Sequence, residues 1–241
     1  MKDISIVLLL IIHSCLLFSQ GLPIANTPES VGMSSDRLKR IDHVLQEYVD
    51  NGTLNGMVAL VLRNGRIAYY RAFGYDDLQT KSPMKKDAIF RIASQTKAIT
   101  SVAVMLLYEE GKLLLDDPIS NYLPEFKNPK VLDKYNEKDT TYTTIPAKRE
   151  ITIRDLLTHT SGIGYAQIGS AQANAIYYKA GVIGGIGVEN LLLEDVMKKL
   201  GPLPLFHQPG EKWTYGLNTD LLGYLVEVVS GMKLDVFFRT R

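Results

Sequence analysis

Cysteine is almost missing from this chain: the 241 residues contain one, Cys15. A lone cysteine near the N-terminus leaves no disulfide framework and no thiolate metal site for the rest of the chain. The four histidines, His13, His43, His159 and His207, show no metal-ligand spacing. An excess of one charge is also lacking, because 27 basic residues face 26 acidic ones. That balance gives no electrostatic reason to expect nucleic acid or an anionic membrane as partner. No internal repeat or low-complexity tract occurs. Gly184-Gly185-Ile186-Gly187 lacks the Lys-Ser/Thr that would follow in a phosphate-binding loop, and reads as a flexible loop. What is present, 46% hydrophobic and 22% charged residues, fits a globular protein.

The longest apolar run, Ile4 to Phe18, is short for a bilayer span and ends in Ser19-Gln20-Gly21. It reads as a secretory signal peptide over residues 1–19, followed by a folded domain over 20–241. Export to the periplasm or outside the cell is therefore expected. An uncleaved anchor and a lipid-carrying Cys15 are the weaker alternatives.

Ser34 or Ser35 caps a helix carrying Leu38, Ile41, Val44, Leu45 and Tyr48 at helical spacing, and Asn51-Gly52 ends it. Met57 to Leu62 and Ile67 to Tyr70 flank Asn64-Gly65, the pattern of a β-hairpin. These strands are apolar on both faces, which predicts helices on both sides. Residues 75–88 read as a loop, and Ile89 to Ile92 as a strand-like lead into a long helix from Ser94 to Glu110. Asp116-Asp117-Pro118 suggests a short helix start. Residues 124–149 are polar and read as a surface excursion; 163–187 carry no assignable element. Thr152 caps a short helix ending before His159. Further helices are predicted over 189–200 and 218–229.

A serine hydroxyl needs a base to become a nucleophile. Ser-x-x-Lys at a helix start puts hydroxyl and amine one turn apart on the same face. The amine can then take the proton if burial and neighbouring charge lower its affinity for it. The motif occurs three times, at Ser82/Lys85, Ser94/Lys97 and Ser230/Lys233. Ser82 precedes a proline in a polar stretch, and Ser230 precedes Gly231 where a helix should stop. Only Ser94 opens a long apolar helix, through Ile99, Val102, Ala103, Leu106 and Leu107. Taken alone, the pattern is more often that of a plain helix N-cap.

Four segments change that balance: Phe90-Arg91-Ile92-Ala93-Ser94-Gln95-Thr96-Lys97, Leu113-Leu114-Leu115-Asp116-Asp117-Pro118-Ile119, Ile151 through Gly162 with its His159-Thr160-Ser161-Gly162 end, and Pro209-Gly210-Glu211-Lys212-Trp213-Thr214-Tyr215. In order and spacing they resemble the serine β-lactamase-like superfamily, which includes class C β-lactamases, D,D-peptidases, D-aminopeptidases and related carboxylesterases. The resemblance implies a mixed α/β fold, a β-lactamase/transpeptidase-like sandwich with an antiparallel sheet flanked by helices plus a helical region. It implies Ser94 as nucleophile, Lys97 as base and Tyr215 as proton shuttle, with no cofactor and no metal. It gives His159 no catalytic role.

Class C lactamases usually read Tyr-x-Asn, whereas here Leu217 stands third and Asn218 fourth. Ester hydrolysis is therefore expected ahead of its alternatives, a β-lactamase or a D-amino-acid peptidase. A non-enzymatic penicillin- or peptidoglycan-binding sensor is the rival of another class. The expected partner is a small ester, an amide or a cell-wall peptide. The family's third motif, a Lys/His-Thr/Ser-Gly strand, does not occur before Arg241. A chain lacking its C-terminal strands, and inactive as it stands, is the corresponding expectation.

Overall fold

The computed structural model describes residues 21–184 and 191–241. The signal-like segment with Cys15, and most of the glycine-rich stretch after Gly184, lie outside the described residues. The chain forms two compact units, Met1–Arg91 and Ile92–Arg241. Both mix helix with antiparallel strands, as expected.

In the first unit, helix α1 (Ser35–Asp50) starts where the Ser34 hydroxyl accepts the Arg37 N–H at 3.3 Å. Strands β1 (Gly56–Arg63) and β2 (Arg66–Asp77) form the hairpin. Asn64 and Gly65 take φ of 51° and 68°, the left-handed pair that a two-residue hairpin turn requires. Ile41, Leu45 and Val49 of α1 pack with Met57, Ala59 and Val61 around buried Leu38, Tyr69 and Phe73. That covers one sheet face. The opposite face carries Leu60 and Leu62, about half exposed at 48% and 47%. Among the described residues of this unit, the helix expected on both sides is thus found on one.

The predicted loop from 75 is also corrected. Strand β2 continues to Asp77, and a short β3 (Ser82–Pro83) pairs back onto it. The Asp77 carboxylate accepts the N–H groups of Gln79 and Thr80 and closes the turn between them.

The second unit is built around helix α6 (Asn218–Ser230), whose Leu221, Leu222, Leu225 and Val226 have no solvent exposure. Against it pack α2 (Thr96–Glu109), the short α3 (Ile153–Leu157), α5 (Leu193–Leu200) and α7 (Leu234–Thr240). Ala103, Val104 and Leu107 of α2 face this core, as does Phe237 of α7. Each large side chain buried here contributes about 1.5–3 kcal/mol.

Around and within this unit the structure revises the sequence reading at several points. Ile89 to Ile92 is irregular backbone, since β-forming residues make no strand without a ladder partner and the described residues supply none. The short helix expected after Asp116-Asp117-Pro118 is a 3-10 helix, Ile119–Asn121. Residues 124–149 are not mere excursion: β4 (Lys130–Tyr135) and β5 (Tyr142–Pro146) form a second hairpin. Val131 is buried there, and the Leu132 N–H donates to the Leu205 carbonyl at 2.8 Å. The many lysines and threonines hid that alternation. Residues 171–179 form α4, capped by Ser170, with Ile176 and Tyr177 in the core. The helix predicted over 189–200 is observed from Leu193, its first two residues lying outside the described ones.

Candidate active site

Ser94 sits in a 3-10 turn, Ala93–Gln95, that leads directly into α2. The long helix thus begins at Thr96, two residues later than predicted. Ala93 has φ of 44°, a left-handed conformation that costs an L-residue about 1–2 kcal/mol. The turn lifts Ser94 to an exposed position while Lys97, in the first turn of α2, stays half-buried. The other two Ser-x-x-Lys motifs go elsewhere. Ser82 is in β3. Ser230 ends α6, its hydroxyl accepting the Met232 N–H.

The three sequence-predicted site residues come together. Lys97 Nζ donates to Ser94 Oγ at 3.3 Å, and Ser94 Oγ lies 2.8 Å from the Tyr215 hydroxyl. Lys97 Nζ also stands 5.0 Å from the centre of the Tyr215 ring. Burial pushes the Tyr215 phenol up, but hydrogen bonding to Lys97 and Ser94, with the Lys97 charge, outweighs it. The phenol is left below the ordinary tyrosine range.

Tyr215 is held by backbone and by rings. The Thr214 N–H donates to the His159 carbonyl at 2.8 Å, and the Leu217 N–H to the Gly164 carbonyl at 3.0 Å. Gly216 lies between, and a Cβ there would come within 2.0 Å of the Ile163 carbonyl oxygen. Only glycine lets the two backbones approach this closely. The Tyr215 ring stacks with His159, at 5.4 Å and 17°, and with Tyr165, at 5.4 Å and 3°.

His159 follows α3. The N–H of Thr160 donates to the Asp155 carbonyl and that of His159 to the Leu156 carbonyl, the paired bonds of a Schellman helix end. Glycine normally fills the left-handed position of this motif; here His159 takes it, at φ 56°. The imidazole Nδ1 is 2.9 Å from Asn218 Nδ2. Asn218 Oδ1 in turn accepts from Ser161 Oγ, whose oxygen accepts the Ile163 N–H at 3.0 Å. Burial and the Lys97 charge hold the imidazole below its ordinary value, against a smaller raising effect of the Thr214 carbonyl. Asn218, fully buried, therefore spends its amide on His159 and Ser161 rather than on the space around Ser94. His207, which is buried, is bonded to the Gln208 carbonyl and Thr214 Oγ1.

A cavity of about 300 Å³ opens beside Ser94 and Lys97 and is lined also by Tyr165, Leu193, Asp220 and Leu234. Burial pushes the Asp220 carboxyl up, and the Lys97 charge pulls it down by less, so that it stands above the ordinary aspartate range. Sequence reasoning passed over Tyr165, Asp220 and the packing role of His159. Asp220 lies in the first turn of α6, five residues after Tyr215, and no motif in the sequence marked it. Nothing in the sequence marks Tyr165 among 13 tyrosines. Among the described residues no group of three or more His, Cys, Asp or Glu is arranged to hold a metal ion.

A Ser-x-x-Lys pair, Ser94 and Lys97, at the start of a helix packed against a second helix whose approach carries Tyr215 is an arrangement of the penicillin-recognising type. The chain belongs to the Beta-lactamase family, whose model matches residues 41–241. It is 37% identical over 195 residues to Esterase EstB of Burkholderia gladioli, covering 81% of this chain and 46% of that protein. It is similar in structure to EstCE1, "a hydrolase with promiscuous acyltransferase activity", with a TM-score of 0.71 and 34% identity over 84% of this chain and 49% of that one. Unliganded simvastatin synthase (LovD) from Aspergillus terreus superposes with a TM-score of 0.67 at 25% identity, over 86% of this chain and 52% of the other. The chain thus spans about half the length of the relatives it matches.

Proposed function

We propose that the protein to which this chain belongs is an exported serine hydrolase that works through an acyl-enzyme and prefers esters. The observation that carries this reading is the Ser94 hydroxyl, 2.8 Å from the Tyr215 hydroxyl and 3.3 Å from Lys97 Nζ, beside an open cavity. In the proposed reaction Tyr215, its phenolate favoured by Lys97, takes the Ser94 proton as Oγ attacks the substrate carbonyl. The tetrahedral centre collapses, the alcohol leaves with that proton, and the acyl group stays on Oγ. Water then attacks the acyl-enzyme by the same route in reverse and releases the acid. This modifies the expectation that Lys97 accepts the proton first, because the shorter contact runs to Tyr215. The residues need no metal or organic cofactor for these steps.

Three things support the ester preference: the similarity to EstB and EstCE1, the leucine at position 217, and the engagement of Asn218 with His159 and Ser161. The family to which the chain belongs favours a second reading, lactam or D-alanyl amide hydrolysis. Intact mass after incubation with a fluorophosphonate, on wild type and Ser94→Ala, tests the nucleophile. One phosphonyl adduct on wild type and none on Ser94→Ala is expected; no adduct on wild type defeats the reading. A panel of short acyl esters, a cephalosporin and a D-alanyl amide ranks the substrates, and cephalosporin turnover without ester turnover would reverse the preference.

A further inference from the structure

His159 occupies a position that the backbone alone would assign to glycine. Its left-handed φ of 56° closes the Schellman end of α3, where an imidazole adds strain and no helix-capping bond of its own. The side chain does two other things. Its ring stacks on that of Tyr215, 17° from parallel, and the Tyr215 ring stacks also with that of Tyr165. The ring edge is tied down by a directional chain. The Ile163 N–H donates to Ser161 Oγ, so the Ser161 proton is free to donate to Asn218 Oδ1. The Asn218 amide N–H then faces His159 Nδ1 as donor. Nδ1 must accept, and the ring proton resides on Nε2.

We propose that His159 is a positioning residue: a neutral Nε2–H imidazole, fixed by Asn218 and Ser161, that clamps the Tyr215 ring by stacking on it and so sets the phenol oxygen on Ser94. This rests on the proposed nucleophile and deepens it. A proton on Nδ1 would oppose two donors, His159 and Asn218, and break the clamp. The groups facing the imidazole are Lys97 from α2, the Tyr215 phenol, the Trp213 ring and the Thr214 carbonyl. Of the two that influence its titration besides burial, the Lys97 charge opposes protonation and the Thr214 carbonyl favours it.

The test uses His159→Gly, which suits the left-handed backbone, and His159→Phe, which keeps a ring but offers no acceptor. His159→Gly should melt within about 4 °C of wild type, yet its Ser94 should react with a fluorophosphonate about 10–100-fold more slowly. In that reaction Oγ–P forms, P–F breaks, fluoride leaves and the hydroxyl proton passes to the base. His159→Phe should recover part of the rate. Wild-type labelling with equal labelling of His159→Gly overturns this inference and leaves the hydrolase reading standing. Absence of labelling on wild type defeats the hydrolase reading instead.

A second readout then decides the clamp independently of labelling. Trp213, the single tryptophan, has its ring centre 6.1 Å from that of His159. A protonated imidazole at this range quenches indole fluorescence. Wild type should show a quenching step with a midpoint below the ordinary histidine value of 6.5, and the step should vanish in His159→Phe. A midpoint at or above that value, or a step surviving in His159→Phe, overturns the proposal.

Discussion

The Ser94 and Tyr215 hydroxyl oxygens lie 2.8 Å apart across 121 residues of sequence. The contact joins the turn before α2 to the approach of α6, and the packing of those two helices maintains it. A phenol this close can relay the serine proton only if its oxygen is free to change charge state, and Lys97 supplies the charge that permits it.

Tyr215→Phe deletes the oxygen and keeps the ring that stacks with His159 and Tyr165. Fluorophosphonate labelling of Ser94 should slow by about 10²–10⁴-fold, the usual worth of a positioned acid–base group. The melting temperature should stay near that of wild type. A rate unchanged within a factor of three would remove Tyr215 from the mechanism.

Lys97→Met should raise the ionisation pH of the Tyr215 phenol, because it removes both a hydrogen-bonding partner and the positive charge beside it. Ultraviolet difference titration of Lys97→Met against Lys97→Met/Tyr215→Phe isolates this one phenol. A midpoint equal to the one obtained from wild type against Tyr215→Phe would show that Lys97 does not control it.

Asp220→Asn tests a buried carboxyl. Its folded-state affinity for a proton exceeds that of the unfolded chain, so ionisation costs stability. The protein is relieved of that cost below the ordinary aspartate value of 3.8 and bears it in full above the raised folded value. At pH 7 the variant should melt about 2–4 °C higher, the response to about 1 kcal/mol in a protein of this size. The gain should shrink as pH falls toward 4. A variant less stable at pH 7 would contradict the assignment.

Asp155 carries the opposite sign. Burial raises its carboxyl, but hydrogen bonds from Arg149 and Thr152 lower it further, to a value below the ordinary one. Arg149 grips both oxygens, at 2.5 and 2.9 Å, while Thr152 completes a capping box for α3. Asp155→Asn should cost about 2 kcal/mol near neutrality, measured by urea unfolding. The difference should fade as pH drops below about 4, where the unfolded carboxylate, and then the folded one, takes up its proton. A constant difference down to pH 2 would refute the linkage.

Gly216→Ala should destabilise the second unit by about 2–3 kcal/mol, since the new Cβ would fall 2.0 Å from the Ile163 oxygen. Labelling of Ser94 should fall with it, because the strand of backbone carrying Tyr215 must shift. Thermal melting and intact mass together check both effects. An alanine variant of wild-type stability would show that the contact relaxes freely.

Elements with strong local signals were readable in advance. The Ser34 cap and the apolar spacing of α1 mark it almost to the residue, and Asn64-Gly65 marks the first hairpin. The second hairpin was hidden because its pairing to Leu205 is non-local, and the composition of residues 130–146 is dominated by solvent-facing lysine and threonine. The strand-like Ile89 to Ile92 shows the reverse: propensity without a partner makes no ladder.

Sequence by itself determined the candidate site. Four ordered segments select Ser94 over Ser82 and Ser230, and they carry Lys97 and Tyr215 with it. Only the tertiary structure decided how Tyr215 is held. The stack of His159, Tyr215 and Tyr165, and the chain from Ile163 through Ser161 and Asn218 to His159, join residues far apart along the chain. Such contacts depend on helix packing and on two backbones meeting at Gly216. Spacing along a chain specifies which residues share a face of one helix, but not which residues meet when two elements close upon each other.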